Sequence, residues 1–236
     1  MDTVSLSIFR FPALAQRLWV LGQMGVARLD FMRMKDVRFW KLCGSGSGEG
    51  FTPKPNTAVW AILATWPDAD TAREKVGTAA VYQRWRHHAA EDWTVFLSTA
   101  SARGKWAGQQ PFAPSGDTPD GPLAALTRAT IRPQKLLKFW GRESDISCAI
   151  AQDPNVIFKI GIGEVPWLHQ VTFSIWPNAR AMANFARHDG PHARAIRAVR
   201  DGGWFREELY ARFALLGDYG TWGGESPLKD LKRPVL

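Results

Sequence analysis

The chain has 236 residues, among them 12 Trp, 13 Phe and two Cys, and a formal net charge of +8. That length can bury a sizeable core without a disulfide or metal staple, and Cys43 and Cys148 lack the spacing of a zinc or iron–sulfur site. The basic residues are dispersed and form no nucleic-acid motif, so nucleic acid is excluded as a partner and the charge is read as compatible with an anionic membrane surface.

Aromatic side chains each bury a large area, so their number points to an apolar cavity or interface beyond ordinary core needs. The N-terminal stretch has an acid at position 2 and no charged lead before its apolar run. It does not read as a signal peptide, and no run reaches the ~18 apolar residues of a membrane span. The expectation is a cytoplasmic protein. Aromatics around Trp19 or Trp40 are candidates for peripheral membrane contact, although buried packing is the commoner use of such residues.

Residues 4 to 11 predict a strand and Ala13 to Met34 a helix. VRFWKLCGSGSGEG follows as a strand or loop; its glycines lack the Gly-Lys-Ser/Thr of a phosphate loop and predict a flexible rim. Thr57 to Trp66 predicts a strand, and Asp68 caps the next helix. His87 and His88 near its end, beside Arg84 and Arg86, read as a solvated basic face. Trp93 to Trp106 closes the first half, and the Gly/Pro/Ser/Asp-rich residues 107 to 122 are a linker. From Asn155 to Phe213 the pattern gives two alternating strands, a helix broken at Gly190-Pro191, and the start of a last strand. The Gly/Pro-rich tail predicts a loosely held end.

The second half repeats the first. Gly48-Glu49 matches Gly163-Glu164, Trp66-Pro67 matches Trp176-Pro177, and Trp93 is aligned with Trp204, at offsets of 115, 110 and 111; Arg10 matches Arg128 at 118. Each half reads strand, helix, strand, strand, helix, strand, which predicts an α+β fold: a tandem duplication of ferredoxin-like units forming a dimeric-α/β-barrel-like fold within one chain. The expected parts are an N-terminal half at 1–106, a linker at 107–122, a C-terminal half at 123–217 and a tail at 218–236. Two facing sheets are expected to enclose a cavity.

Few residues suggest chemistry. No nucleophile elbow or His-Glu-x-x-His helix is visible. A neutral imidazole beside an apolar cavity can ligate haem iron, and His192, in the restarted helix, fits best. Val81 stands at its first-half counterpart by the Trp93/Trp204 offset. His188 is the alternative in another helix register. On residues alone, a capping or solvated histidine is the plainer reading of His192.

The block IFKIGIGEVPWLHQVTFSIWP, with RHDGPHARAIRAVR, GWFREELYARF, FWKLCGSGSGEGFTP, ALTRATI and WAILATWPDA, resembles the spheroidene monooxygenase family of bacterial carotenoid biosynthesis, also called acyclic carotenoid 2-ketolase, over about Val4 to Gly217. The resemblance implies an O2-dependent enzyme containing haem b, which oxidises spheroidene or hydroxyspheroidene twice beside its methoxylated end with electrons from a ferredoxin-type donor. An alcohol and then a geminal diol would form, the latter losing water to give the ketone. Under that reading His192 is the axial ligand and the haem lies between the half-barrels. Arg128 is a candidate for the distal oxygen or a propionate, and a buried arginine paired with a carboxylate such as Glu164 is its equal alternative. Lys159 is a propionate candidate against a plainer solvated role. Trp60, Ile62 and Ala64, with Thr172 and Ser174 on the equivalent face, are expected to line the substrate pocket. Two other readings stay open: another haem enzyme on this barrel, such as a dehydratase or peroxidase, and a non-catalytic haem or lipid carrier.

Overall fold

The computed structural model describes residues 1–47, 52–116, 120–141, 155–187 and 202–231. His188, His192, Cys148, Gly48 and Glu49 therefore lie outside the described residues. The first half runs β1 (Thr3–Arg10), α1 (Leu14–Arg33), β2 (Phe39–Gly46), β3 (Pro55–Trp66), α2 (Ala69–Thr78), α3 (Ala80–His88) and β4 (Glu91–Gly104). The second runs β5 (Leu123–Ile131), a 3₁₀ turn (Pro133–Lys135), α4 (Leu136–Trp140), β6 (Phe158–Gly163), β7 (His169–Trp176), α5 (Ala179–Arg187) and β8 (Phe205–Gly220).

The eight strands close into one antiparallel barrel in the order β1-β3-β2-β6-β7-β5-β8-β4. Each half contributes four neighbouring strands in matching order, so the fold is α+β and duplicated. Following the antiparallel pairings from β1 through β4 and β8 to β5 shows that β1 and β5 run in opposite directions. The two halves are thus related by rotation about an axis across the barrel, and equivalent strand ends lie at opposite ends of it. Two seams join the halves. β4 pairs with β8 from Trp93 to Gly104, whereas β2 pairs with β6 only through Gly44↔Gly163 and Ser45↔Ile162, beside a bulge at Gly44/Ser45.

The period-2 alternation of the strands puts Val4, Leu6, Ile8, Leu63, Val95, Leu126, Ile160, Phe173 and Phe213 into the barrel interior. These side chains fill the space between the two sheets, where the sequence led us to expect a cavity; the cavities at the short seam lie in the wall instead. The outer face of the first half carries Phe9, Trp60, Ile62, Ala64 and Trp66, covered by Val20, Ala27 and Phe31 of α1 and by Tyr82 and Trp85 of α3. Asp68 caps α2 by accepting from Thr71 N at 2.7 Å, worth about 1 kcal/mol. Asn178 does the same for Ala181 N at 2.8 Å in the second half. His88 stacks on Trp19 with ring centroids 3.8 Å apart, and its Nδ1 donates to Arg84 O at 3.0 Å, so it ties α3 to α1 rather than facing solvent alone.

The structure corrects part of the repeat alignment. Trp93 points into the barrel, but Trp204 precedes β8 and packs with Ile131 and Phe139, so the two are not equivalents. The true correspondence is Gly104-Lys105-Trp106-Ala107-Gly108 with Gly220-Thr221-Trp222-Gly223-Gly224, at an offset of 116. Trp106 N donates to Gln109 O and Trp222 N to Glu225 O, making the same turn twice. That turn also anchors the tail: Trp222, Leu228 and Leu231 pack on the barrel core, because the repeated turn folds the chain back over the barrel end.

Gly104 sits at φ +102, and a Cβ there would meet Glu208 O at 2.1 Å. Both backbone strain and a collision with a rigid carbonyl oppose any side chain. Gly104→Ala is expected to cost about 2 kcal/mol in urea-unfolding stability. An unchanged unfolding midpoint would show that the turn yields without cost.

Candidate functional site

The barrel end that holds the C-terminus of β5 carries a buried polar cluster. Arg128, on the inner face of β5, has a side chain only 2% exposed, and its Nη1 donates to Glu207 Oε1 of β8 at 2.5 Å. Its Nη2 lies 4.0 Å from Glu164 Oε2, and its guanidinium sits 5.7 Å from the Trp106 ring centroid. Glu164 also receives Lys41 Nζ on Oε1 at 3.0 Å and the Trp106 indole N–H on Oε2 at 3.0 Å. Glu207 accepts from Ala107 N at 2.8 Å and Gly108 N at 2.7 Å. Lys41 and Arg128 balance two carboxylates, which is what allows these charges to be buried together.

Burial alone would raise the pKa of Glu164, but the approach of His169, the charge and hydrogen bond of Lys41 and the Trp106 N–H outweigh it and hold the carboxyl at about 2. Burial acts the same way on Glu207, and the Gly108 and Ala107 amides with Arg128 again prevail to lower it. Cys43, inside the barrel, is pushed well above the usual thiol range by burial first and by the Glu164 charge second, and is therefore a neutral, inert thiol. His169 Nδ1 lies 3.2 Å from Glu164 Oε2 without the alignment of a hydrogen bond, which leaves a buried ring nitrogen unpartnered at this end.

Glu164 and His169 also line a cavity of about 350 Å³ that straddles the short β2–β6 seam. Its walls are Trp60, Ile162, Trp140, Trp167 and the α1 residues Leu21 and Met24, with Gln170 next to His169. The seam opens here because β2 and β6 part after two residue pairs. Gly163 turns the chain tightly into the β6–β7 connection, where a Cβ would meet His169 O at 2.1 Å. A largely apolar chamber lined by a few polar groups suits a molecule with an apolar body and a polar terminus.

Of the expected pocket residues, Trp60 lines this cavity, whereas Ile62 and Ala64 are buried beneath the first-half helices. Thr172 and Ser174 lie on the outer face of β7. There they form cross-strand rows with the other strands: Lys159–Ser174–Ala125–Arg212 and Gly161–Thr172–Thr127–Tyr210. Gln170 belongs to the same face two residues on, so the face and the cavity are contiguous. Lys159 is placed at the edge of that face, and Arg128 is committed to carboxylates inside the barrel. Sequence reasoning did not single out Lys41, Trp106, His169 or Glu207. The repeated Gly-x-Trp-x-Gly turn was the available signal for Trp106, and Glu207 is held by that turn's amides.

The comparisons agree on both the fold and the lineage. No protein-family model matches the chain. An aldoxime dehydratase in complex with butyraldoxime superposes with a TM-score of 0.60 at 8% identity, covering 91% of this chain and 79% of that one. A second aldoxime dehydratase gives 0.58 at 10% identity over 91% and 81%; these share the fold. In sequence, the chain is 54% identical to the spheroidene monooxygenase of Cereibacter sphaeroides over 97% of this chain and 71% of that protein. It is 52% identical to that of Rhodobacter capsulatus over 97% and 96%, and 35% identical to that of Rubrivivax gelatinosus over 89% and 81%. At such identity over nearly the whole length, the chain belongs to the spheroidene monooxygenase family.

Proposed function

We propose that this protein is a carotenoid monooxygenase that introduces the 2-keto group of spheroidenone into spheroidene or hydroxyspheroidene by two successive oxygenations. The observation that carries the reading is its identity above 50%, over nearly its whole length, to two proteins named spheroidene monooxygenase. The seam cavity adds to it: apolar walls would receive the polyene end, and Glu164, His169 and Gln170 would face its oxygen-bearing terminus. Each turnover consumes O2 and two electrons, one oxygen atom entering substrate and the other leaving as water; a ferredoxin-type protein would supply the electrons.

The proposed cofactor is haem b, and the two halves differ in their capacity for it. The outer face of the first half is filled by Trp60, Ile62, Trp66 and the helices over them. On the second half, α5 packs Met182 against Leu123 and Trp176 at one end, and the adjoining rows offer Gly161, Thr172, Thr127 and Ala125, with Thr127 exposed. A floor of glycine, alanine and threonine fits a flat, broad ring, with Lys159 and Arg212 at the two ends of the Ala125 row for propionates. His192, with His188 as alternative, would supply the axial nitrogen from the chain that follows α5. When bound, haem would supply the oxygen activation. The protein's own residues would orient the substrate, exclude water and keep the polar terminus in register.

The test is conversion of spheroidene to its ketone by purified protein with O2, a reduced ferredoxin and added haem. His192→Ala is expected to abolish the Soret band and turnover together while leaving the unfolding midpoint unchanged. Retention of haem by that variant would move the ligand to His188. Turnover without any haem uptake would refute the cofactor and leave the substrate assignment standing.

A further inference from the structure

α1 has two apolar faces, and only one of them is used by the fold. Val20, Ala27 and Phe31 bury one side against the first-half sheet. Leu14, Leu18, Leu21, Leu29 and Met32 recur at spacings of three and four, with Gly25 between them, along the opposite side; Leu18 is 62%, Leu29 52% and Met32 74% exposed. Scattered exposed leucines are ordinary on a protein surface, but a continuous helical stripe of them is not.

Charge flanks the stripe with one sign. The two acids on or just after α1 face other partners, Asp30 pairing with Arg84 and Asp36 with Lys75. Arg28, Arg33 and Lys35 are exposed, and none has a carboxylate partner among the described residues. An apolar stripe edged by arginine and lysine is the pattern of a helix lying in the plane of an anionic bilayer surface. No helix among the described residues is long and apolar enough to cross a membrane.

The stripe also runs into the seam cavity. Leu21 belongs to both, and Trp167, 55% exposed, lines the same cavity. Trp167 is held at φ +65, unusual for so bulky a residue. Its indole N–H donates to Pro53 O at 2.8 Å, and its carbonyl accepts from Trp140 Nε1 at 3.1 Å. A strained, doubly tethered tryptophan at a rim fixes an amphipathic ring where an apolar phase meets water. Val165 and Leu137, also exposed, lie next to this rim in the chain.

The geometry points to a bilayer-docking surface formed by the outward face of α1 and the Trp167 rim, which sets the cavity mouth on an anionic membrane so that a lipid-dissolved substrate enters from its apolar interior. The surface would be the entrance of the site proposed above, and in that respect it rests on that reading. A cavity of about 350 Å³ can take one end of a long polyene and must leave the rest outside. Docking would let that remainder stay in lipid.

The experiment is flotation of the full chain with vesicles of phosphatidylcholine alone and of phosphatidylcholine with phosphatidylglycerol, for wild type and for Leu18→Asp/Leu29→Asp. Both positions are exposed and outside the cavity lining, so circular dichroism and the unfolding midpoint are expected to be preserved. Wild type is expected to float with anionic vesicles, weakly with neutral ones, and the variant to lose about tenfold or more in partitioning. Turnover of vesicle-embedded spheroidene should fall in parallel, while turnover of detergent-dispersed spheroidene stays at the wild-type rate. Equal flotation of the two proteins, or no flotation of wild type, would overturn the docking surface. So would a wild-type dimer that the variant splits into monomers, since the stripe would then be covered by a second copy. If flotation behaves as expected and neither form of spheroidene is turned over, the docking surface stands and the proposed substrate fails.

Discussion

Arg128→Ala is expected to destabilise the fold by about 3–5 kcal/mol, the range for removing one partner from a buried charge group. The guanidinium is 2% exposed and sits between Glu207 and Glu164, with the Trp106 ring beside it. Deleting it leaves two carboxylates at the barrel end with Lys41 as the remaining cation, and Lys41 reaches Glu164 alone. Arg128→Lys restores the charge but not the planar fork that serves both acids, so it should recover only part of the loss. The first half supplies an internal control. Arg10 lies 3.5 Å from Glu91, which accepts from Gly224 N, and stacks 4.3 Å from Trp222, in the same arrangement at the other end of the barrel. Its side chain is 40% exposed, so Arg10→Ala should cost less than about 1 kcal/mol. Urea unfolding of the three variants reads these values directly. Similar losses at Arg10 and Arg128 would mean that burial does not distinguish the two stations. If the folded fraction of Arg128→Ala turns over spheroidene normally, the arginine is architectural; a folded but inactive variant would give it a role in the reaction.

The duplicated barrel was legible because each half carries the same order of period-2 and period-3.6 segments, and because Trp66-Pro67 and Trp176-Pro177 both end a strand before a capped helix. The pairing of Trp93 with Trp204 failed because a matching tryptophan says nothing about strand register. The contacts of the repeated turn make Glu91 and Glu207 the equivalents, each beside its repeat's arginine and held by amides of that turn. The expected cavity between the sheets was a misreading of the same duplication. Large side chains such as Leu6, Ile8, Leu63, Leu126, Phe173 and Phe213 fill the interior, and the alternation that places them there predicts a packed barrel as readily as a hollow one. The seam cavity depends on β2 and β6 separating after two pairs, a long-range fact that no local pattern encodes. The cluster around Glu164 was hidden for the same reason: Lys41, Trp106 and Arg128 are far apart in the chain and meet only when the barrel closes. The outward stripe of α1, by contrast, was present in the spacing of Leu14, Leu18, Leu21, Leu29 and Met32, and was masked because the helix is apolar on its inner side too.

Glu164 should make stability depend on pH in the acid range, and its contribution can be isolated. Its carboxyl is held at about 2 against an ordinary value of 4.5, so the folded state favours the anion. A depressed carboxyl stabilises the fold above the unfolded value and loses that stabilisation as pH falls from about 4.5 toward about 2; below both values the carboxyl is protonated in either state. The gap corresponds to about 3 kcal/mol. Glu207, Glu91 and Asp68 are lowered as well and contribute to the acid limb, so the wild-type curve alone does not assign it. The difference between wild type and Glu164→Gln does. That difference is expected to be level from pH 7 to about pH 5 and to shrink by about 3 kcal/mol by pH 2. A difference that stays constant across this window would show that Lys41, His169 and Trp106 do not act on the ionised form. A carboxyl that releases its proton at about pH 2 is an anion throughout the neutral range and cannot donate one there. Glu164 is therefore a fixed negative charge against which Lys41 and His169 are set.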